Sequence, residues 1–143
     1  MRHDTIVLIE DDSDDKEILT MVLKDLGIDN PVVWYPTCAK AFEYLKSTSE
    51  KPFLILSDVN LPGINGIEFK HQIDQSEYLK KKCIPYVFYS TSIDQDSVDE
   101  AYNKLTVQGY FKKCSGYDEI KQTIKVIYDY WSICEHPSAN QVC

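Results

Sequence analysis

Five short apolar runs, separated by segments of helical periodicity, constrain this chain more than any other feature. The runs are Ile6-Val7-Leu8-Ile9, Val32-Val33-Trp34-Tyr35, Phe53-Leu54-Ile55-Leu56, Tyr86-Val87-Phe88-Tyr89 and the shorter Tyr110-Phe111. Their length and their β-branched and aromatic content predict five strands. Between them, apolar residues recur one helical turn apart: Ile18, Leu19, Val22, Leu23 and Leu26, then Cys38, Ala41, Phe42 and Leu45. Phe69 and Ile73 give a weaker third stripe, Val98, Ala101, Tyr102 and Leu105 a fourth, and Ile120, Ile124, Ile127, Tyr128 and Trp131 a long last one. Pro31, Pro52 and Pro85 stand at the mouths of strand runs, where a missing N–H does least harm, and Ser13 and Thr37 stand where helix N-caps are expected.

Strict alternation of strand and helix implies a parallel sheet, because parallel strands need crossovers and uninterrupted apolar strands must be covered on both faces. The expected fold is therefore a (βα)5 doubly wound α/β domain. A chain of 143 residues has room for one such core and little else. Residues 1–135 are expected to form that domain, with 136–143 a flexible tail. No internal repeat, low-complexity tract or Gly/Ser linker marks a second module.

Charge narrows the function. With 15 basic and 23 acidic residues the net charge is -8, which repels nucleic-acid backbones and anionic membranes, so direct binding to either is not expected. The apolar run near the N-terminus is too short for a signal-peptide core or a membrane span, and a cytoplasmic location is expected. The five cysteines, Cys38, Cys83, Cys114, Cys134 and Cys143, contain no C-x-x-C pair and are expected to be reduced thiols. Neither they nor the isolated His3, His71 and His136 form a zinc pattern.

In an open α/β sheet, ligands bind beyond the carboxyl ends of the strands. The residues there are Glu10 and Asp11 after the first run, Asp58 after the third, Ser90 after the fourth and Lys113 after the fifth. Carboxylates gathered at one edge repel by roughly 4 kcal/mol per pair at about 4 Å and an effective dielectric near 20, so the cluster calls for a cation. Oxygen-only ligands favour Mg2+, with Asp11 and Asp58 as side-chain ligands and Glu10 acting through water. Such an ion draws charge from a phosphoryl group while a carboxylate attacks it. Asp12, Asp14 and Asp15 read as a solvated helix start favourable to the helix dipole. Taken singly, Asp58 could be a turn former, Ser90 a cap and Lys113 a surface lysine; it is their joint placement that points to a site.

The motifs IVLIEDD, LILSDVNLPGINGIEF, IPYVFYSTS and GYFKK, in this order and spacing, resemble those of the bacterial two-component response-regulator receiver family over about Thr5 to Trp131. The resemblance implies a flavodoxin-like, CheY-like sheet of strand order 2-1-3-4-5. It also implies that Asp58 is the phosphoacceptor and that Glu10, Asp11 and Asp58, with the Asn60 main-chain carbonyl, hold Mg2+. Ser90 then corresponds to the switch hydroxyl, Lys113 to the phosphate-pairing lysine and Tyr110 to an aromatic rotamer switch. The partners implied are a histidine kinase or phosphotransfer protein and a downstream protein target. The stretch DQSEYLKKKC, 74–83, is longer than in the smallest receivers and is similar to that of single-domain regulators that partner phytochrome-like sensor kinases.

Two positions depart from the pattern. Serine replaces the more usual threonine at position 90, keeping the hydroxyl. Cys114 stands where most receivers have a proline on a cis bond; cis before a non-proline residue costs about 2.5–4 kcal/mol, so a trans or strained loop is expected. The expected function is a phosphorylation switch rather than an enzyme acting on other substrates. Two alternatives are a Mg-dependent aspartyl-phosphate phosphohydrolase, which would want Asp-x-Asp where this chain has Asp58-Val59-Asn60 and a cap it has no room for, and a receiver used as a phosphorylation-independent binding module. Aromatics on the last helix could serve a homodimer or the core.

Overall fold

The computed structural model describes residues 4–91, 95–104 and 108–135. Along the chain run β1 (Ile6–Ile9), α1 (Ser13–Asp25), β2 (Val32–Tyr35), α2 (Cys38–Ser47), β3 (Leu54–Ser57), α3 (Gly66–Gln75), α4 (Glu77–Lys82), β4 (Tyr86–Ser90), α5 (Gln95–Lys104), β5 (Gly109–Lys112) and α6 (Tyr117–Ile133). All strand pairs are parallel, in the order β2-β1-β3-β4-β5, so the expected topology is the observed one. The central strands β1, β3 and β4 are buried throughout, while the edge strands β2 and β5 are partly open.

Strand alternation divides the interior into two cores, one on each sheet face. Val7, Ile9, Ile55, Tyr86 and Phe88 point to the face covered by α2, α3, α4 and α5, where they meet Ala41, Leu45, Phe69, Leu79 and Ala101. Ile6, Leu8, Leu54, Leu56, Val87 and Tyr89 point to the face covered by α1 and α6, against Leu19, Val22, Ile120, Ile124 and Ile127. The prolines act as expected: Pro31 and Pro85 still offer carbonyls, which accept from Ile6 N and Ile55 N at 2.8 and 2.9 Å.

Local details differ from the sequence reading. Thr37 caps α2, accepting from Lys40 N at 3.3 Å, but the cap of α1 is Asp12 rather than Ser13. Asp12 is extended, and its carboxylate accepts from Asp14 N and Asp15 N at 2.8 and 3.3 Å, a charged acceptor where the helix dipole favours one. Tyr102, expected in a buried stripe, is exposed, and its hydroxyl accepts from Tyr110 N at 3.1 Å; Leu105 lies outside the described residues. Tyr128 and Trp131 pack against the second core, leaving Val126, Tyr130 and Ile133 as the exposed apolar residues of α6. Cys38, Cys114 and Cys134 are free thiols, whereas Cys83, at the left-handed C-cap of α4, is disulfide-bonded, contrary to the expectation of reduced thiols throughout. The expected tail, 136–143, also lies outside them.

The extra residues before β4 fold into α4, a helix the sequence periodicity does not show. Ser76 caps it, Leu79 is its one buried side chain, and the Lys82 ammonium donates to the carbonyls of Leu45, Thr48 and Glu50 at the end of α2, at 3.2, 2.8 and 3.4 Å. Beside it lies a cavity of about 660 Å³ among Lys70, Ile73, Asp74, Leu79, Ile84 and Tyr86, where the strands begin. No helix among the described residues is long and apolar enough to cross a membrane.

Candidate phosphorylation site

At the opposite end of the sheet, where the strands finish, ladder bonds aim three chain segments at one point. Glu10 N donates to Tyr35 O at 3.1 Å, Asp58 N to Ile9 O at 3.0 Å, and Lys113 N to Ser90 O at 2.9 Å. The indole N–H of Trp34 holds the Glu10 carbonyl at 2.6 Å. The backbone thus fixes Glu10, Asp58, Ser90 and Lys113 relative to one another before any side chain is placed.

Asp58 is buried, and its Oδ1 accepts from the amides of Val59 and Asn60 at 2.7 and 3.2 Å, which turns its other oxygen toward the site. That oxygen, Oδ2, accepts from Lys113 Nζ at 2.9 Å. The same ammonium donates to Glu10 Oε1 and, at 2.9 Å, to Asp15 Oδ2. The loop after Asp58 is held by α3: Asn65 and Glu68 form a reciprocal capping box, and Gly66 N donates to Val59 O at 2.8 Å.

Burial and charge pull the titrations apart. Burial pushes the Glu10 carboxyl up to about 7, with Lys113 limiting the rise. Burial would raise Asp58 as well, but hydrogen bonds from Lys113 and the Ser90 hydroxyl outweigh it and hold that carboxyl below its usual value. Burial would lower Lys113, but the carboxylates of Glu10, Asp58 and Asp15 more than offset it, keeping the ammonium charged. A buried anion with an oxygen free of backbone bonds, facing a fixed cation, is suited to nucleophilic attack on an anionic phosphoryl group.

Carboxylate oxygens of Glu10, Asp11 and Asp58 lie within 4.8 Å of one another. An all-oxygen set of this size fits a hard divalent cation. Asp11 is exposed at the rim, as is Asn60, which follows Asp58 in the same loop. Ser90 is fully buried at the end of β4. Tyr110 is half-buried on β5, its ring 5.5 Å from that of Phe88. The Lys113–Cys114 peptide is trans, as no peptide among the described residues is cis. The structure therefore brings together every site residue read from the sequence except Tyr110, which pairs with Phe88 two strand positions before the Ser90 partner Lys112 and packs on the core instead.

One residue was misplaced by the sequence reading. Asp15, assigned with Asp12 and Asp14 to a solvated helix start, is drawn to Lys113. Its position in the first turn of α1, directly after the strand that delivers Glu10 and Asp11, is the signal that could have found it.

In sequence and fold the chain is similar to known proteins. The response regulator Rcp1 of Synechocystis is 31% identical over 131 residues, covering 88% of this chain and 87% of Rcp1. The crystal structure of the phosphorylated cyanobacterial phytochrome response regulator RcpA matches with a TM-score of 0.85 and 31% identity, over 96% of this chain and all of that one. The Mn(2+)-bound form of Rcp1 matches with a TM-score of 0.82 and 30% identity, over 94% and 99% of the two chains. The response regulator receiver domain family matches residues 6–125, and the chain belongs to that family.

Proposed function

We propose that this chain is a cytoplasmic single-domain response regulator in which Asp58 accepts a phosphoryl group in a Mg-dependent reaction and thereby switches a protein-binding surface. The observation that carries the reading is the convergence on one point of the Asp58 Oδ2 oxygen, the Lys113 ammonium at 2.9 Å and the Glu10–Asp11–Asp58 oxygen cluster. The Mn(2+)-bound form of Rcp1 and the phosphorylated form of RcpA support both the cation and the modification.

Glu10, Asp11 and Asp58, with the Asn60 carbonyl, would hold the cation. When bound, it neutralises charge on the transferring phosphoryl group. The Asp58 oxygen attacks phosphorus of a phosphohistidine or a small acyl phosphate; a new O–P bond forms as the donor's N–P or O–P bond breaks, and the donor leaves with the electron pair. Val59 and Asn60 amides hold the other Asp58 oxygen still, so attack comes from one atom. Lys113 pairs with the added phosphoryl charge, about -1.5 to -2, and the Ser90 hydroxyl donates to a phosphoryl oxygen. Drawing Ser90 toward the phosphoryl group frees space beside Phe88, into which Tyr110 turns, altering the surface of α5, β5 and α6. The chain would catalyse only its own phosphorylation and dephosphorylation. The donor would be a histidine kinase or phosphotransfer protein, and the reader a downstream protein.

The test is intact mass after incubation with Mg2+ and acetyl phosphate, native chain against Asp58→Asn. A labile phosphate adduct that disappears in the variant is the expected result. A folded native chain that gains no phosphate from acetyl phosphate or from a kinase would favour a phosphorylation-independent binding module.

A further inference from the structure

A lysine ammonium has three N–H bonds to give. At Lys113 they go to three carboxylates, those of Glu10, Asp58 and Asp15. The three acceptors are not equivalent. Glu10 and Asp58 are side-chain buried, 3% and 9% exposed, and belong to the oxygen cluster suited to a cation. Asp15 stands on a different element, α1, is 37% exposed and lies outside that cluster. A divalent cation therefore competes with Lys113 for Glu10 and Asp58 but leaves Asp15 to it.

We propose that Asp15 is a positioning residue for Lys113: it keeps the ammonium over Asp58 while the other two carboxylates are engaged, and so sets how readily Asp58 is phosphorylated. This rests on the phosphoacceptor reading of Asp58. The residue acts through Lys113 alone. Its carboxylate gains nothing from the cation directly, and its exposed half stays hydrated, so holding Lys113 does not require burying a further charge.

The experiment uses the full chain at saturating Mg2+ and compares native protein, Asp15→Asn, Asp15→Glu, Lys113→Met and the double variant Asp15→Asn/Lys113→Met. The first readout needs no phosphorylation: labelling of the Lys113 amine by a mild acylating reagent, followed by peptide mass. Loss of the tether should speed Lys113 labelling about threefold or more in Asp15→Asn, and Asp15→Glu should restore protection. The second readout is the rate of adduct formation with acetyl phosphate, which should fall about tenfold in Asp15→Asn and change by less than about twofold when the same substitution is added to Lys113→Met, as coupled residues require. Unchanged Lys113 labelling in Asp15→Asn, or an equal loss of rate with and without Lys113, would overturn the proposal. If the native chain takes no phosphate at all, the reading of Asp58 fails while the labelling result still decides whether Asp15 places Lys113.

Discussion

Gly66 lies against the main chain of Asp58: a Cβ at position 66 would meet the Asp58 carbonyl oxygen at 2.3 Å and the Phe88 ring at 3.1 Å. The first contact is with backbone, so no side-chain rotation relieves it. Gly66→Ala should force the loop between β3 and α3 outward, cost about 2–3 kcal/mol in stability and slow Asp58 phosphorylation. Urea unfolding and the acetyl phosphate mass assay check both parts; a variant within about 0.5 kcal/mol of native would show that the loop gives way freely.

Lys113 is the cation that lets Glu10 and Asp58 be buried side by side. Replacing it with methionine leaves both carboxylates buried without an opposite charge, although Glu10 can take a proton because burial has already raised it to about 7. The expected loss is about 2–3 kcal/mol without divalent cation. Added Mg2+ should recover more stability in Lys113→Met than in native protein, since no ammonium competes for the same oxygens. Thermal unfolding with and without Mg2+ measures the two increments, and a smaller increment in the variant would contradict the argument.

The raised Glu10 carboxyl also has a pH consequence. Its ordinary value is 4.5 and its folded value about 7, so between these the folded state holds more protons than the unfolded one. The Glu10 contribution to stability is fully present below about 4.5 and is lost as pH rises through about 7, by on the order of 1–3 kcal/mol. Without divalent cation, the difference in unfolding free energy between native protein and Glu10→Gln should therefore change between pH 5 and pH 8, with native losing more on the alkaline side. Parallel curves for the two proteins would mean that Glu10 titrates near its ordinary value.

Lys82 places its ammonium on three carbonyls at the end of α2, where the helix dipole favours a cation. Lys82→Met should cost about 1 kcal/mol in chemical denaturation. Because Lys82 sits at the far end of the sheet from Asp58, the phosphorylation rate of Lys82→Met should match native; a changed rate would reveal coupling between the two ends.

What the sequence makes visible follows from how strongly burial acts on each part. β1, β3 and β4 are covered on both faces, so their apolar runs stand out, and the residues that end them must then fall together at one edge. The convergence of Glu10, Asp11, Asp58, Ser90 and Lys113 at one edge is readable for that reason. Helix α4 is not, because six residues with one buried side chain and three successive lysines carry no stripe. The choice of Asp12 over Ser13 as cap depends on one residue's backbone angles, which composition does not fix, since both side chains can serve. Asp15 was hidden by its neighbours: in a row of acids at a helix start, only the rotation of α1 against the sheet decides which one turns inward.

The position of α4 separates two kinds of freedom. With β4 running five residues at about 3.3 Å each, the helix and its cavity sit roughly 15 Å from the end where Ser90 meets Asp58. None of the residues proposed to handle phosphate lies there, so that end of the molecule is free of the demands which that chemistry makes on the other. Relatives sharing this sheet can thus grow apart in the face they show below it and still read the same signal above.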